Sequence, residues 1–366
     1  MSKRAKRFSA PLTIFLCIAC LCLGVALGVL GAAIYDAATF VSDKAVVTGE
    51  LEIHFLELGN KYTGDCTYIK AGENDILIDA GSRSSSVPAI AEYIDQYVED
   101  GKLEYVIVTH AHQDHYAGFA TTEGSIFDLY ECEVIIDFAL TNQEATGGNM
   151  YSRYLAERDA EIKAGATHYT AAECREEDNY VFDLGNGIEM TVLDSYYYYH
   201  EAESENDYSV CTLFTYGDYS YLFTGDLEED GEEYLVEMNT LPEVTVYKAG
   251  HHGSKTSSSE ALLSVIKPEI VCVCCCAGSP EYTDTEDNQF PTQTFIDNIA
   301  PYTDKVYVTT LCVDWEKDEF TSMNGVIKVV SNNSGVTVVC SNDDRILREW
   351  EWFVENRDCP DAWKNK

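Results

Sequence analysis

The chain has 366 residues, 46% of them hydrophobic, which is too long and too apolar for a disordered segment or a minimal module and fits one large domain or two ordinary ones. Its 63 Asp and Glu against 24 Lys and Arg give a formal net charge of −39. That balance argues against a protein that coats DNA through a positive surface, but not against an enzyme whose bound metal ions reverse the sign locally. The 25 tyrosines hint at an extracellular face of the kind that also binds sugars or wall polymers.

Residues 1–10 are basic and residues 11–34 carry no charge. As a helix rising about 1.5 Å per residue, the second stretch spans about 36 Å, enough for a bilayer core. Lys3, Arg4, Lys6 and Arg7 should stay cytoplasmic, so the expectation is a single-pass transmembrane helix at 11–34 with everything beyond it outside the cell. The alternative is a cleaved signal peptide. A stalk over 35–50, one catalytic domain over 51–341 and a charged tail over 342–366 complete the expected organisation.

The segments 51–58, 66–71 and 75–81 alternate or run apolar and read as strands, and 87–100 has helical spacing. Residues 103–110 form a nearly continuous apolar strand that ends on a histidine. Another strand is expected at 131–140 and a helix at 148–165, followed by a polar stretch to about 185. A second series of apolar runs follows from 187 to 310, and 325–341 reads as a hairpin turning at 333–335. Strand–turn–helix units on both sides of a midpoint predict an α/β protein with two packed sheets covered by helices. Cys272, Cys274, Cys275 and Cys276 lie in one such run. Alternate strand side chains face opposite ways, so they are expected to be small buried residues rather than a metal site. An exported domain would permit a disulfide among Cys66, Cys132, Cys174, Cys312, Cys340 and Cys359.

The chemistry concentrates at 109–118, Thr-His-Ala-His-Gln-Asp-His-Tyr-Ala-Gly. A strand running into a loop lets His110 and His112 face one centre, and the next turn can deliver Asp114 and His115 to a second. Imidazole and carboxylate suit zinc, manganese or iron. His54 and His168 read as structural, and His200 as solvent-exposed.

The His-x-His-x-Asp-His pattern resembles the signature of the metallo-β-lactamase superfamily. Asp79 in Ile-Leu-Ile-Asp-Ala-Gly, Asp226 in Thr-Gly-Asp and the pair His251–His252 in His-His-Gly-Ser follow in the expected order. The His-His-Gly-Ser form is similar to that of the soluble domain of ComEC-type competence proteins and related cell-wall phosphodiesterases. The resemblance implies a four-layer αββα sandwich and two divalent ions, zinc or manganese. His110, His112, Asp114, His115, Asp226 and His252 would be ligands, and Asp79 would support the metal loop from behind. It implies a metal-activated hydroxide attacking a phosphodiester or phosphoester, with Asp114 also handling a proton and His251 reaching the phosphoryl oxygens. Which of His251 and His252 binds metal is left open. Asn206, Ser254 and Lys255 are candidate substrate contacts, although the serine run 257–259 could equally cap a helix.

Two positions depart from the pattern. The superfamily often has a further histidine between the His-x-His-x-Asp-His segment and the bridging aspartate, and the matching stretch here reads Asn206, Asp207 and Ser209 with no histidine. Phe290 stands before Pro291 where the subgroup tends to have a histidine, which weakens a nuclease assignment. The expected partners are therefore the membrane, through the N-terminal helix, and a phosphoester substrate that is small or wall-linked; DNA is disfavoured by charge. Two other readings remain: an anchored wall-polymer binding module, and a hydrolase of a lactone, thioester or β-lactam.

Overall fold

The structure, a computed structural model, describes residues 50–364. The expected transmembrane segment and stalk lie outside the described residues. Among those described, no helix is long and apolar enough to cross a membrane.

Two eight-stranded sheets form the body. The first runs in space Gly335–Cys340, Ile327–Asn332, Leu51–Phe55, Thr67–Ala71, Asn74–Ile78, Lys102–Ile107, Glu131–Asp137, Thr167–Thr170. The second runs Glu319–Ser322, Val306–Asp314, Ile270–Ala277, Val246–Lys248, Tyr219–Phe223, Thr212–Tyr216, Ile188–Val192, Val181–Asp183. Each is mixed: parallel from Asn74–Ile78 to Thr167–Thr170 in one, and from Tyr219–Phe223 to Val306–Asp314 in the other. The remaining pairs are antiparallel.

The strand Ile270–Ala277 shows why the sequence folds this way. All eight of its residues are buried, as befits a strand covered on both faces. Cys272 and Cys274 point into the core shared with Phe55 and Phe223, whose rings stack across the sheets at 6.0 Å. Val271, Val273, Cys275 and Ala277 point into a second core. Helices Glu260–Ile266 and Gln293–Ile299 close that core with Leu262, Leu263, Ile266, Phe295, Ile296 and Ile299. The cysteines are thus packing residues on alternate faces. All eleven described cysteines are free, so the disulfide that export would permit is not formed among them.

The tail joins the same core. Leu347, Phe353 and Trp363 are buried in it, and Trp363 Nε1 donates to the Thr303 carbonyl at 2.8 Å. The polar stretch to 185 contains two short edge elements, Thr167–Thr170 and Val181–Asp183, with helix Ala171–Glu176 between them.

Candidate metal centre

The candidate residues leave the sheets at the carboxyl ends of parallel strands, where open α/β sheets place their ligands. Asp79 follows Asn74–Ile78, the histidine loop follows Lys102–Ile107, Asp226 follows Tyr219–Phe223, and His251 and His252 follow Val246–Lys248. The loop between the first two strands adds Asp65. Gly64 permits this approach: a Cβ there would sit 2.7 Å from the Asp114 carbonyl oxygen, and Asp65 N donates to that same oxygen at 3.0 Å.

His110 and His112 bring Nε2 and Nδ1 to 3.0 Å from each other. That separation lets both nitrogens reach one ion at about 2.0–2.1 Å. His115 Nδ1 donates to Asp79 Oδ2 at 2.7 Å, which turns Nε2 toward Asp226 Oδ2 at 3.0 Å. His252 Nδ1 donates to the Cys274 carbonyl at 2.9 Å, which turns its Nε2 toward Asp226 Oδ2 at 3.1 Å and Asp114 Oδ2 at 3.3 Å. Asp65, His115, Asp226 and His252 form a candidate metal-binding group, with one ligand atom from each lying within 4.8 Å of the others. His115 Nε2, His252 Nε2, Asp226 Oδ1 and Asp65 Oδ1 are buried and make no hydrogen bond. Buried polar atoms are rarely left so, and these are the atoms a divalent cation would take. The residues fit the metal their types suggest.

Asp79 is the hub behind the loop. Its carboxylate accepts from Thr109 N and Thr109 Oγ1, both at 2.8 Å, as well as from His115. The Thr109 hydroxyl also lies 3.2 Å from His110 Nδ1. It can accept from that ring nitrogen while donating to Asp79, leaving His110 Nε2 as a lone pair. Asp79 itself has φ +60, a left-handed conformation that costs a non-glycine residue about 1–3 kcal/mol. His251 and His252 share that conformation, with φ of +43 and +55. The paired left-handed residues send the two rings apart: His252 is buried, while His251 is partly exposed.

Charge in this pocket is balanced by close partners. Burial disfavours the Asp226 carboxylate, but His115, His252 and Lys248 outweigh it and hold its pKa well below the usual range. Burial likewise opposes imidazolium at His115 and His252, yet Asp226 with Asp79 or Asp65 raises both well above an ordinary histidine. His110 has no such carboxylate in contact, so burial, reinforced by His115, pushes it well down. Asp114 is held low: burial opposes its charge, and His252, whose Nε2 lies 3.3 Å away, and nearby His115 overcome it.

Five contributors escaped the sequence reading. Asp65 is ion-paired with the buried Lys248, whose Nζ also donates to the Gly225 carbonyl at 3.0 Å and lies 3.5 Å from Asp226 Oδ1. Glu205 accepts from Ala111 N at 3.1 Å and pins the histidine loop. Tyr282 donates its hydroxyl to Asp114 Oδ2 at 2.7 Å. Arg83 lines the cleft over the centre, about 410 Å³ in volume, together with His112, Gln113, Asp114, Asp226, His251, Glu281 and Tyr282. Only Asp65 carried a usable signal, a Gly-Asp pair ahead of a strand.

The expected substrate contacts fare differently. Asn206 Nδ2 lies 3.5 Å from His251 Nδ1 and donates to Glu228 at 3.3 Å. Ser254 and Lys255 are not among the residues lining the cleft. Ser254 Oγ pairs with Thr256, and Lys255 Nζ donates to Asn288 at 3.1 Å. The serine run is structural: Ser257 Oγ donates to the Gly250 carbonyl, Ser258 and Ser259 donate backbone N–H to Glu232, and Ser259 caps helix Glu260–Ile266. Ser209 Oγ, in the stretch lacking a histidine, lies 3.4 Å from His110 Nδ1 and accepts from Asp226 N. Phe290 packs 5.8 Å from both His251 and His252. His54 bonds Tyr93 and His168 bonds Asp137, and neither lines the cleft. His200 is exposed and stacks on Tyr196.

The chain belongs to the metallo-beta-lactamase superfamily, whose family model matches residues 59–277. Among individual proteins, it is 26% identical over 225 residues to Recombination protein 2 of Haemophilus influenzae, covering 61% of this chain and 24% of that protein. It is 26% identical over 175 residues to ComE operon protein 3 of Bacillus subtilis, covering 46% and 19% respectively. The alignments therefore take in about a quarter or less of these relatives. Among solved structures, the metallo-beta-lactamase fold protein YhfI from Bacillus subtilis aligns over 75% of this chain and 99% of its own, with 10% identity and a TM-score of 0.42.

Proposed function

We propose that the chain is a metal-dependent hydrolase of phosphodiester or phosphoester bonds, working with two divalent ions, zinc or manganese. The observation that carries this is the set of buried ligand atoms on Asp65, His115, Asp226 and His252 that make no hydrogen bond, with the nitrogens of His110 and His112, beside an open cleft that His112, Asp114 and Asp226 line. Divalent ions held there supply Lewis acidity and make water acidic enough to attack near neutral pH. A cleft that combines such ions with the Arg83 guanidinium suits an anionic ester better than a neutral ring.

The chain's own groups do the rest. Asp114 holds a carboxylate at the cleft floor that accepts a proton from the attacking water. Tyr282 steadies Asp114 from the rim. His251, partly exposed beside Asn206, Glu228 and Thr256, presents its ring to a phosphoryl oxygen. Arg83 takes the anion-contact role expected of Ser254 and Lys255. Residues 11–34 are proposed to anchor this domain at the outer face of the cell membrane, with the basic segment inside.

The test is hydrolysis of bis(p-nitrophenyl) phosphate by the full chain. Turnover should fall about 100-fold or more in His110→Ala, and should stop with chelator and return with zinc or manganese. Unchanged turnover in His110→Ala would remove the proposal, and faster turnover of a β-lactam or lactone than of the phosphodiester would overturn the substrate class.

A further inference from the structure

We infer that a second anion subsite adjoins the metal cleft and holds the next phosphate along a phosphodiester chain, with Arg153 as its principal contact. This inference rests on the phosphoester reading above and extends it to the length of the substrate.

The observation is a cleft of about 470 Å³ lined by Arg83, Gln113, Thr121, Thr122, Met150 and Arg153, among others. Arg83 and Gln113 line the metal cleft as well, so the two spaces meet along these residues. The charged groups of the second cleft are Arg83, whose charge Glu281 offsets, the carboxylate of Glu123, and Arg153.

Arg153 is built to stay there. Its Nε donates to the Ala120 carbonyl at 2.9 Å and one terminal nitrogen to the Gly148 carbonyl at 2.8 Å. Neutral carbonyls fix the guanidinium without cancelling its charge. Among the described residues no carboxylate forms an ion pair with it, whereas Arg83 is paired with Glu281 at 2.8 Å. A planar guanidinium already held in place loses little freedom on binding a phosphate.

Arg83 stands at the junction. Its guanidinium lies over the Tyr62 ring at 4.1 Å and one nitrogen donates to the Ser82 carbonyl at 2.6 Å. A phosphate at the metal centre and its neighbour in the second cleft would lie on either side of this arginine. A substrate with only one phosphate would leave Arg153 unused.

The experiment compares single phosphodiesters with the same compounds carrying one further terminal phosphate. One arm uses the dithymidylate TpT against pTpT and TpTp. The other uses glycerophosphoglycerol against its terminal phosphate, which separates a nucleotide source from a polyol source. In at least one arm the full chain should favour a phosphate-bearing form about tenfold in kcat/KM, mostly through KM. Arg153→Gln should bring that ratio close to one, while Arg153→Lys should keep part of it. Lys163→Gln, an exposed charge on the same helix, should keep all of it. A variant that merely folds poorly lowers both rates and leaves the ratio intact. An unchanged ratio in Arg153→Gln, or no preference in either arm, overturns the inference. If no phosphodiester is cleaved at all, the phosphoester reading fails and calorimetric binding of pTpT and glycerophosphate decides the subsite. Binding weakened about tenfold by Arg153→Gln supports it, and binding equal in both proteins refutes it.

Discussion

Asp79 shows how much of the site depends on atoms that never meet substrate. One carboxylate takes three hydrogen bonds, two from Thr109 and one from His115, and so sets the free nitrogen of His115. Asn at this position would offer N–H where His115 Nδ1–H now donates, and the ring would lose its orienting partner. Asp79→Asn should therefore weaken metal binding about 10- to 100-fold, read by competition with a chromophoric chelator, while the chain still folds by circular dichroism. Wild-type affinity in that variant would show that the hydrogen bond does not orient the ligand. Asp79 was named through the resemblance, as an aspartate at the end of an apolar strand that supports the metal loop. The pairing of Asp65 with Lys248 was not legible, because 183 positions separate them in the chain and only the packing of loop and sheet brings their charges together. Lys255 stands next to the pair in sequence, but its Nζ bonds Asn288 and it is not among the residues lining the cleft, since closeness to His252 in the chain does not fix where a long side chain reaches.

At the scale of elements, the turn that carries His251 and His252 is held by helix Glu229–Met238. Glu232 on that helix is buried and accepts the backbone N–H groups of Ser258 and Ser259, each at 2.7 Å. Burial raises its carboxyl from 4.5 to about 7, against the pull of those hydrogen bonds. The folded chain thus holds this proton more tightly than the unfolded chain. Its contribution to stability is present in full below about pH 4.5 and is lost as pH rises through about 7. Gln does not titrate. The melting temperature of Glu232→Gln relative to wild type should therefore climb by several degrees from pH 4.5 to 7 and then level off. Parallel curves would contradict the assignment. The same scale shows where sequence patterns carry and where they fade. The long apolar runs, such as Ile270–Ala277, and the hairpin of Ile327–Asn332 with Gly335–Cys340 were readable from burial on one or both faces. The edge strands Thr167–Thr170, Val181–Asp183 and Glu319–Ser322 were not, because strands open to solvent need neither alternation nor apolar composition.

For the whole molecule, the governing quantity is the contrast between a formal charge of −39 and a cleft that must accept an anion. Asp65, Asp79, Asp114 and Asp226 crowd one pocket, and the protein's own cations there are few: Lys248, and His115 and His252 when protonated. Two divalent ions would reverse the sign of the pocket and fill its unpaired ligand atoms at once. The resemblance in the sequence pointed to that arrangement, and the fold brings residues from positions 65 to 252 together as a candidate metal-binding group. The most direct measurement is the metal content of the full chain purified without chelator, by inductively coupled plasma mass spectrometry, with thermal unfolding before and after chelation. The account predicts close to two divalent ions per chain and a lower melting temperature once they are removed, because a ligand of the folded state alone stabilises it. A chain that holds no divalent ion, even after incubation with zinc or manganese, and melts at the same temperature with and without chelator would contradict it.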